Sequence, residues 1–124
     1  MGRTIVVALT TCCATAYAVA GFKDHQIRIQ MQRISQFEND RVTVWRSVIP
    51  PGTESTLHRH DHSRIVFGIV GGDLKTVSPA GRTAVTHYET GRAYWQDPMP
   101  VDETHKDVND TSKTIDLLVV ELKQ

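Results

Sequence analysis

"PGTESTLHRHDHSRIVFGIVG", residues 51–71, opens on a Pro-Gly turn, sets histidines at 58, 60 and 62, and closes on an apolar run ending in glycine. Along an extended chain alternate side chains share a face, so His58 and His60 point the same way if residues 56–60 form a strand. Two imidazoles on one inward face, a strand's width from a third on a neighbouring strand, make a nitrogen cradle suited to Zn, Fe, Ni, Cu or Mn. A bare His-x-His pair also occurs on solvated surfaces, so the surrounding sequence has to decide between the two.

Outward from this stretch, strand patterns dominate. Alternation over 27–31 and again over 41–49 has the period of half-buried strands, and Pro50-Pro51-Gly52 stops the second. Further short strands are predicted at 56–60, 65–70, 73–77, 83–88, 93–96, 105–108 and 114–123, with turn signals such as Gly71-Gly72, Thr90-Gly91 and Asn109-Asp110 between them. Many short strands punctuated by glycine and proline mean a sandwich or a barrel, and residues 21–124 read as one all-β domain.

The 124 residues are enough for one hydrophobic core. Fourteen basic and fourteen acidic residues cancel, which argues against a broad nucleic-acid footprint or a patch for anionic membranes and leaves a small molecule or a metal as the expected partner. Residues 1–20 read as a secretory signal: Arg3, an apolar and small-residue run from Ile5, and Ala18-Val19-Ala20 before a cleavage point at Gly21. The run is short of the ~20 apolar residues of a spanning helix, so no stable membrane anchor is expected, and the protein is placed in the periplasm or outside the cell. Cys12 and Cys13 both lie in this leader, so the exported chain would carry neither disulfide nor thiolate and would depend on its core alone.

Gly52, five residues, His58, one residue, His60, three residues, position 64, six residues and Gly71 resembles the first motif of the cupins, which places glycine, two histidines, a glutamate and a glycine at these intervals. The second motif is matched more loosely by Gly91, the prolines Pro98 and Pro100, and His105-Lys106-Asp107-Val108-Asn109. The chain is most similar to small single-domain cupins with an H-R-H-x-H run, some of them connected with beta-alanine degradation. This resemblance implies a double-stranded β-helix, or jelly-roll barrel, with its site inside the mouth and His105 as third ligand beside His58 and His60. It also makes a homodimer plausible, through sheet edges or outer faces. The fold hosts dioxygenases, lyases, isomerases and non-catalytic binders alike, so it does not choose a reaction.

One position departs from the motif. Where the cupins carry glutamate this chain has Arg64, whose guanidinium stays protonated and has no lone pair to coordinate with. Beside a dication it is repelled by several kcal/mol at ~4 to 6 Å, even at an effective dielectric of about 20. Either the metal is lost, or Arg64 turns away, or an anion lies between them; in the last case a substrate carboxylate would ligate a divalent Fe, Zn, Mn or Ni and accept a bidentate hydrogen bond from Arg64. His62 is a possible fourth nitrogen ligand if the strand continues, although a turn is expected there. Asp61 and Asp107 are candidates for fixing imidazole tautomers or for ligation, and each also fits a solvated turn. Glu103 is a candidate acid or base, or simply a loop carboxylate in water. Of Tyr94 and Trp95, which alternate, one is expected inside and the other outside; Trp45 reads as core or interface, and His25 and His87 as incidental. Two functions follow: a metal-dependent enzyme acting on a small anionic metabolite, or a binding protein with or without metal that does no chemistry.

Overall fold

A computed structural model of the chain describes residues 29–123. The expected leader 1–20, His25, and residues 27 and 28 of the first expected strand lie outside this range. All elements within it are strands: β1 (Gln32–Glu38), β2 (Val42–Ile49), β3 (Thr53–Glu54), β4 (Arg64–Val70), β5 (Gly72–Val77), β6 (Thr83–Tyr88), β7 (Ala93–Gln96), β8 (Lys106–Asn109) and β9 (Ile115–Leu122). They form two antiparallel sheets, one in the order β1-β2-β9-β4-β7 and one in the order β3-β8-β5-β6.

Period-two alternation explains the layering. On β2 Trp45, Ser47 and Ile49 turn inward, on β4 Arg64 and Val66, and on β9 Ile115, Leu117 and Val119, all of them buried. Leu74 and Tyr88 meet them from the smaller sheet, and burial of this cluster drives the two sheets together. The side chains between them, Ile65, Phe67 and Ile69 on β4 and Trp95 on β7, face outward and stay substantially exposed.

Two expected strands differ. Residues 29–31 are not a strand, and the first strand among the described residues is Gln32–Glu38, whose residues are all exposed. It is an edge strand held by its ladder to β2, with a register shift between Ser35 and Phe37 that breaks the alternation a sequence reading depends on. Its Arg33 lies over the Trp45 ring with Cζ 3.6 Å from the centroid, a cation covering an aromatic that an apolar side chain would otherwise cover. Residues 56–60 are likewise not a regular strand. Only Thr53–Glu54 pair with β8 as a strand, after which the chain leaves the sheet and touches it again at a single bridge between His58 and His105.

Turn chemistry frames that segment. Gly52 has φ of 70°, a left-handed conformation that follows naturally after Pro51 in a tight turn. Gly71 has no room for a side chain, because a Cβ there would collide with the Tyr88 carbonyl oxygen. Asn109, fully buried, ties three pieces of chain at one end of the barrel: its Nδ2 donates to the carbonyls of Ile49 (2.7 Å) and Lys113 (2.8 Å), and its Oδ1 accepts from Thr111 Oγ1 (2.7 Å). Replacing it removes a donor from both carbonyls, of which that of Lys113 keeps a 3.2 Å bond from Thr111 Oγ1. Asn109→Ala is therefore expected to lower the unfolding free energy by about 2–4 kcal/mol in urea melts; a loss below about 0.5 kcal/mol, the scale of an ordinary surface change, would contradict this role.

Candidate metal centre

Three histidines from two distant parts of the sequence converge. His58 and His105 exchange both backbone hydrogen bonds, each 2.9 Å, which fixes them as a directly opposed cross-strand pair. His60 follows two residues on and turns to the same side, its carbonyl held by the Met99 amide at 2.9 Å. The ring centroids stand 4.7 Å (His58–His105), 5.0 Å (His58–His60) and 5.7 Å (His60–His105) apart, and one ligand nitrogen from each ring lies within 4.8 Å of the others.

Hydrogen bonding sets the tautomers. His58 Nδ1 donates to the Thr56 carbonyl at 2.9 Å, so in the neutral ring its Nε2 keeps a lone pair for the cavity. His60 Nδ1 faces Glu121 Oε2 at 3.4 Å, an acceptor that orients this ring in the same sense. Asp107 projects between the other two: its Oδ2 is 3.4 Å from His58 Nε2 and its Oδ1 is 3.6 Å from His105 Nε2.

Arg64, the first residue of β4, turns into the same cavity and is only 9% exposed. Its Nη1 is buried and has no hydrogen-bond partner among the described residues. Burial lowers the pKa of this guanidinium, against the opposing fields of Tyr88, Asp107 and Glu121. A buried cation lacking a contact partner is costly and is a ready receptor for an anion.

The histidines respond unequally to this field. Burial, then Arg64 and the other two imidazoles, pushes His60 down to about 3, so it is neutral at any ordinary pH. Burial also lowers His105. The hydrogen bond to Asp107 raises His58 despite burial. Burial opposes ionisation of Asp107, but the hydrogen bond from His58 and the charge of the imidazoles outweigh it and hold the carboxyl below its usual value. The cavity these groups share has a volume of about 1110 Å³ and is walled by Trp45, Val66, Tyr88 and Val119 below the histidines.

By sequence, no protein-family model and no curated protein matches the chain. By structure, it is similar to a cupin domain from Bordetella pertussis Tohama I, with a TM-score of 0.67 and 24% identity over 77% of this chain and 95% of that one. A Klebsiella pneumoniae protein with a double-stranded β-helix domain is similar at a TM-score of 0.55 and 21% identity, covering 75% of this chain and 76% of that one. The fold is the cupin double-stranded β-helix. A polyketide cyclase of Streptomyces resistomycificus shares it at a TM-score of 0.50 and 24% identity, over 69% of this chain and 57% of the cyclase.

In this barrel three imidazoles with ring nitrogens close together form a donor set that fits a divalent transition metal, which would supply a Lewis acid and acidify a bound water. The other candidate residues lie elsewhere. His62 sits at the bend before β4, half-buried and outside the three-histidine group, and Asp61 is exposed and paired with Arg59 at 2.6 Å. Glu103 lies at the cavity rim with its side chain 52% exposed, 4.0 Å from Arg82, in water rather than among the imidazoles. Tyr94 packs against the core and its hydroxyl oxygen accepts from the Glu89 amide at 2.9 Å, while Trp95 faces outward. His87 pairs with Asp73 on the exposed side of β5 and β6.

Sequence reasoning missed Glu121. Its signal was present: Ile115, Leu117 and Val119 occupy the inward positions of β9, and an acid at the next inward position has to meet a polar partner.

The depressed His60 sets a pH dependence. A histidine whose folded pKa lies below its unfolded value of 6.5 contributes stability that is complete above pH 6.5 and is lost as pH falls toward about 3. His58, raised, works the other way, its contribution present below its unfolded value and lost as pH rises through the folded one. In chelator, the melting temperature is therefore expected to fall between pH 6.5 and 4, with a shallower fall in His60→Gln; equal slopes for the two proteins would refute the assignment.

Proposed function

We propose that this is an exported cupin that holds a divalent Fe, Zn, Mn or Ni on His58, His60 and His105 and takes a small carboxylate-type metabolite into the barrel mouth. The observation that carries the reading is the buried, unpartnered Nη1 of Arg64 in the same cavity as three convergent imidazoles. A carboxylate there would satisfy the guanidinium with a charge-assisted hydrogen bond and cancel its repulsion toward the metal. Tyr88, which burial pushes up to about 12, stays a neutral phenol and adds a hydroxyl to the cavity wall. The resemblance to the H-R-H-x-H group supports a small amino- or hydroxy-carboxylate as the ligand.

These parts suit a metal-dependent dioxygenase, lyase or isomerase, the metal acting as Lewis acid while Arg64 orients the substrate. A binding protein without chemistry is the second reading, favoured by the cation at position 64 where the motif has an anionic ligand. Untagged protein recovered from the exported fraction, with its N-terminus at Gly21, is expected to contain stoichiometric metal that His60→Ala and His105→Ala lose. Arg64→Gln is expected to keep the metal and bind small carboxylates about 10-fold or more weakly. A parent protein still metal-free after exposure to Fe, Zn, Mn and Ni would overturn the metal, and unchanged carboxylate affinity in Arg64→Gln would overturn the role of the arginine.

We also propose that two copies pair through the outer face of the five-stranded sheet. Register aligns Phe37, Val44, Val120, Ile65 and Trp95 in one row and Ile34, Arg46, Leu118 and Phe67 in the next, with Phe37, Ile65, Phe67 and Trp95 all exposed. The Arg46–Asp116 ion pair on this face already neutralises its charges, so the patch presents an apolar surface to a second copy of itself. Light scattering is expected to give a dimer for the parent and a monomer for Phe67→Asp; a monomeric parent would overturn it.

A further inference from the structure

Three neutral imidazoles bring no negative charge to a dication, and the motif position that supplies a carboxylate in other cupins is Arg64. The chain has a carboxylate on the other side of the site. His105 and Asp107 are two residues apart on the line of β8, so their side chains share a face, and both are turned inward with side chains 15% and 16% exposed. Ser55 clamps the Asp107 backbone from both sides, its amide donating to the Asp107 carbonyl at 2.9 Å and its Oγ accepting from the Asp107 amide at 2.8 Å. The same Oγ stands 3.3 Å from His58 Nδ1. One serine thus locks the spacing between the His58 ring and the Asp107 carboxylate.

That spacing is chemically specific. Because His58 Nδ1 donates to the Thr56 carbonyl, the lone pair on Nε2 of the neutral ring points at Asp107 Oδ2, acceptor facing acceptor at 3.4 Å. Two acceptors hold such a position only with a cation between them, and in the metal-free protein a proton can serve. The second carboxylate oxygen stands 3.6 Å from His105 Nε2. In a tetrahedral site with bonds of about 2.0–2.1 Å, neighbouring donor atoms lie about 3.3–3.4 Å apart, which is close to both separations.

We propose that Asp107 joins His58, His60 and His105 as a metal ligand, with the anionic ligand moved from β4 to β8 and position 64 released to hold a cation. Asp107 stands against His58 and His105 but outside the three-histidine group whose ligand atoms all lie within 4.8 Å of one another, so metal binding has to draw its carboxylate toward His60. The proposal rests on the metal reading above and deepens it. The carboxylate offsets one charge of the dication, and Glu121 behind His60 adds a further negative charge, so Arg64 is tolerated in the same cavity. Arg64 is then free to receive an anion in the same cavity rather than to balance the site.

Cobalt(II) tests this without any assay of activity. Titration of metal-free protein with Co2+ alone is expected to give visible ligand-field bands and an affinity that Asp107→Asn, which preserves shape but removes the charge, weakens by about 100-fold or more with a changed spectrum. Asp107→Glu, which keeps a carboxylate, is expected to recover bands and part of the affinity, and it guards against a loss due to misfolding; melting curves in chelator check both variants. Parent affinity in Asp107→Asn overturns the proposal, as does weaker binding with an unchanged spectrum, which would leave Asp107 only positioning His58. In both cases the three histidines stand, provided that His60→Ala abolishes the bands. A parent that binds neither Co2+ nor Zn2+ overturns the metal reading itself.

Discussion

A single antiparallel bridge between His58 and His105 makes one site out of two remote segments. The strand that should carry the first histidines has left the smaller sheet after Glu54, and beyond the hydrogen bonds of Ser55 to Asp107 this pair of backbone hydrogen bonds brings it back. Everything at the mouth follows from that return: the cross-strand distance between two imidazoles, the turn of His60 to the same side, and the placement of Ser55 against Asp107. At the opposite end the fully buried Asn109 closes the barrel, tying β8 to the end of β2. The candidate ligands therefore stand on a segment anchored at both sides rather than on a loose loop.

The electrostatics of the cavity depend on a second constraint. Burial of the His60 ring, and after it the charge of Arg64 and the two other imidazoles, holds His60 neutral. His58 escapes because Asp107 stands against it, and Asp107 stays ionised because the imidazoles surround it. The cavity is divided by charge, with Asp107 and Glu121 flanking the imidazoles and Arg64 left for an external anion. A polar network of this kind costs stability wherever a member is unsatisfied, and Arg64 Nη1 is such a member.

Much of the barrel was legible because strands with one buried face write their period into the chain. β2, β4, β5, β6, β7 and β9 were all visible in that way, their boundaries shifted by a residue or so. β1 was not, because an edge strand buries no face of its own and a register shift between Ser35 and Phe37 disrupts what alternation it has. The segment around His58 and His60 was legible as a pair of histidines on one side but wrongly as a strand: spacing along the chain could not show that the hydrogen-bond ladder ends at Glu54. Glu121 was overlooked as the last polar residue of an apolar strand, although its inward phase follows directly from Val119.

By itself the sequence determined the all-β architecture, the paired histidines at 58 and 60, the distant His105 and the anomalous cation at 64, since these depend on local periodicity and on residue identity at fixed intervals. Tertiary structure alone decided which charges share the cavity. Whether Arg64 finds a partner, which acceptor faces the His60 ring, and how close Asp107 comes to two imidazoles are all set by contacts between segments remote from one another in the chain. The physical reason is that hydrogen bonding and burial act across the barrel, where separation along the chain carries no information about distance.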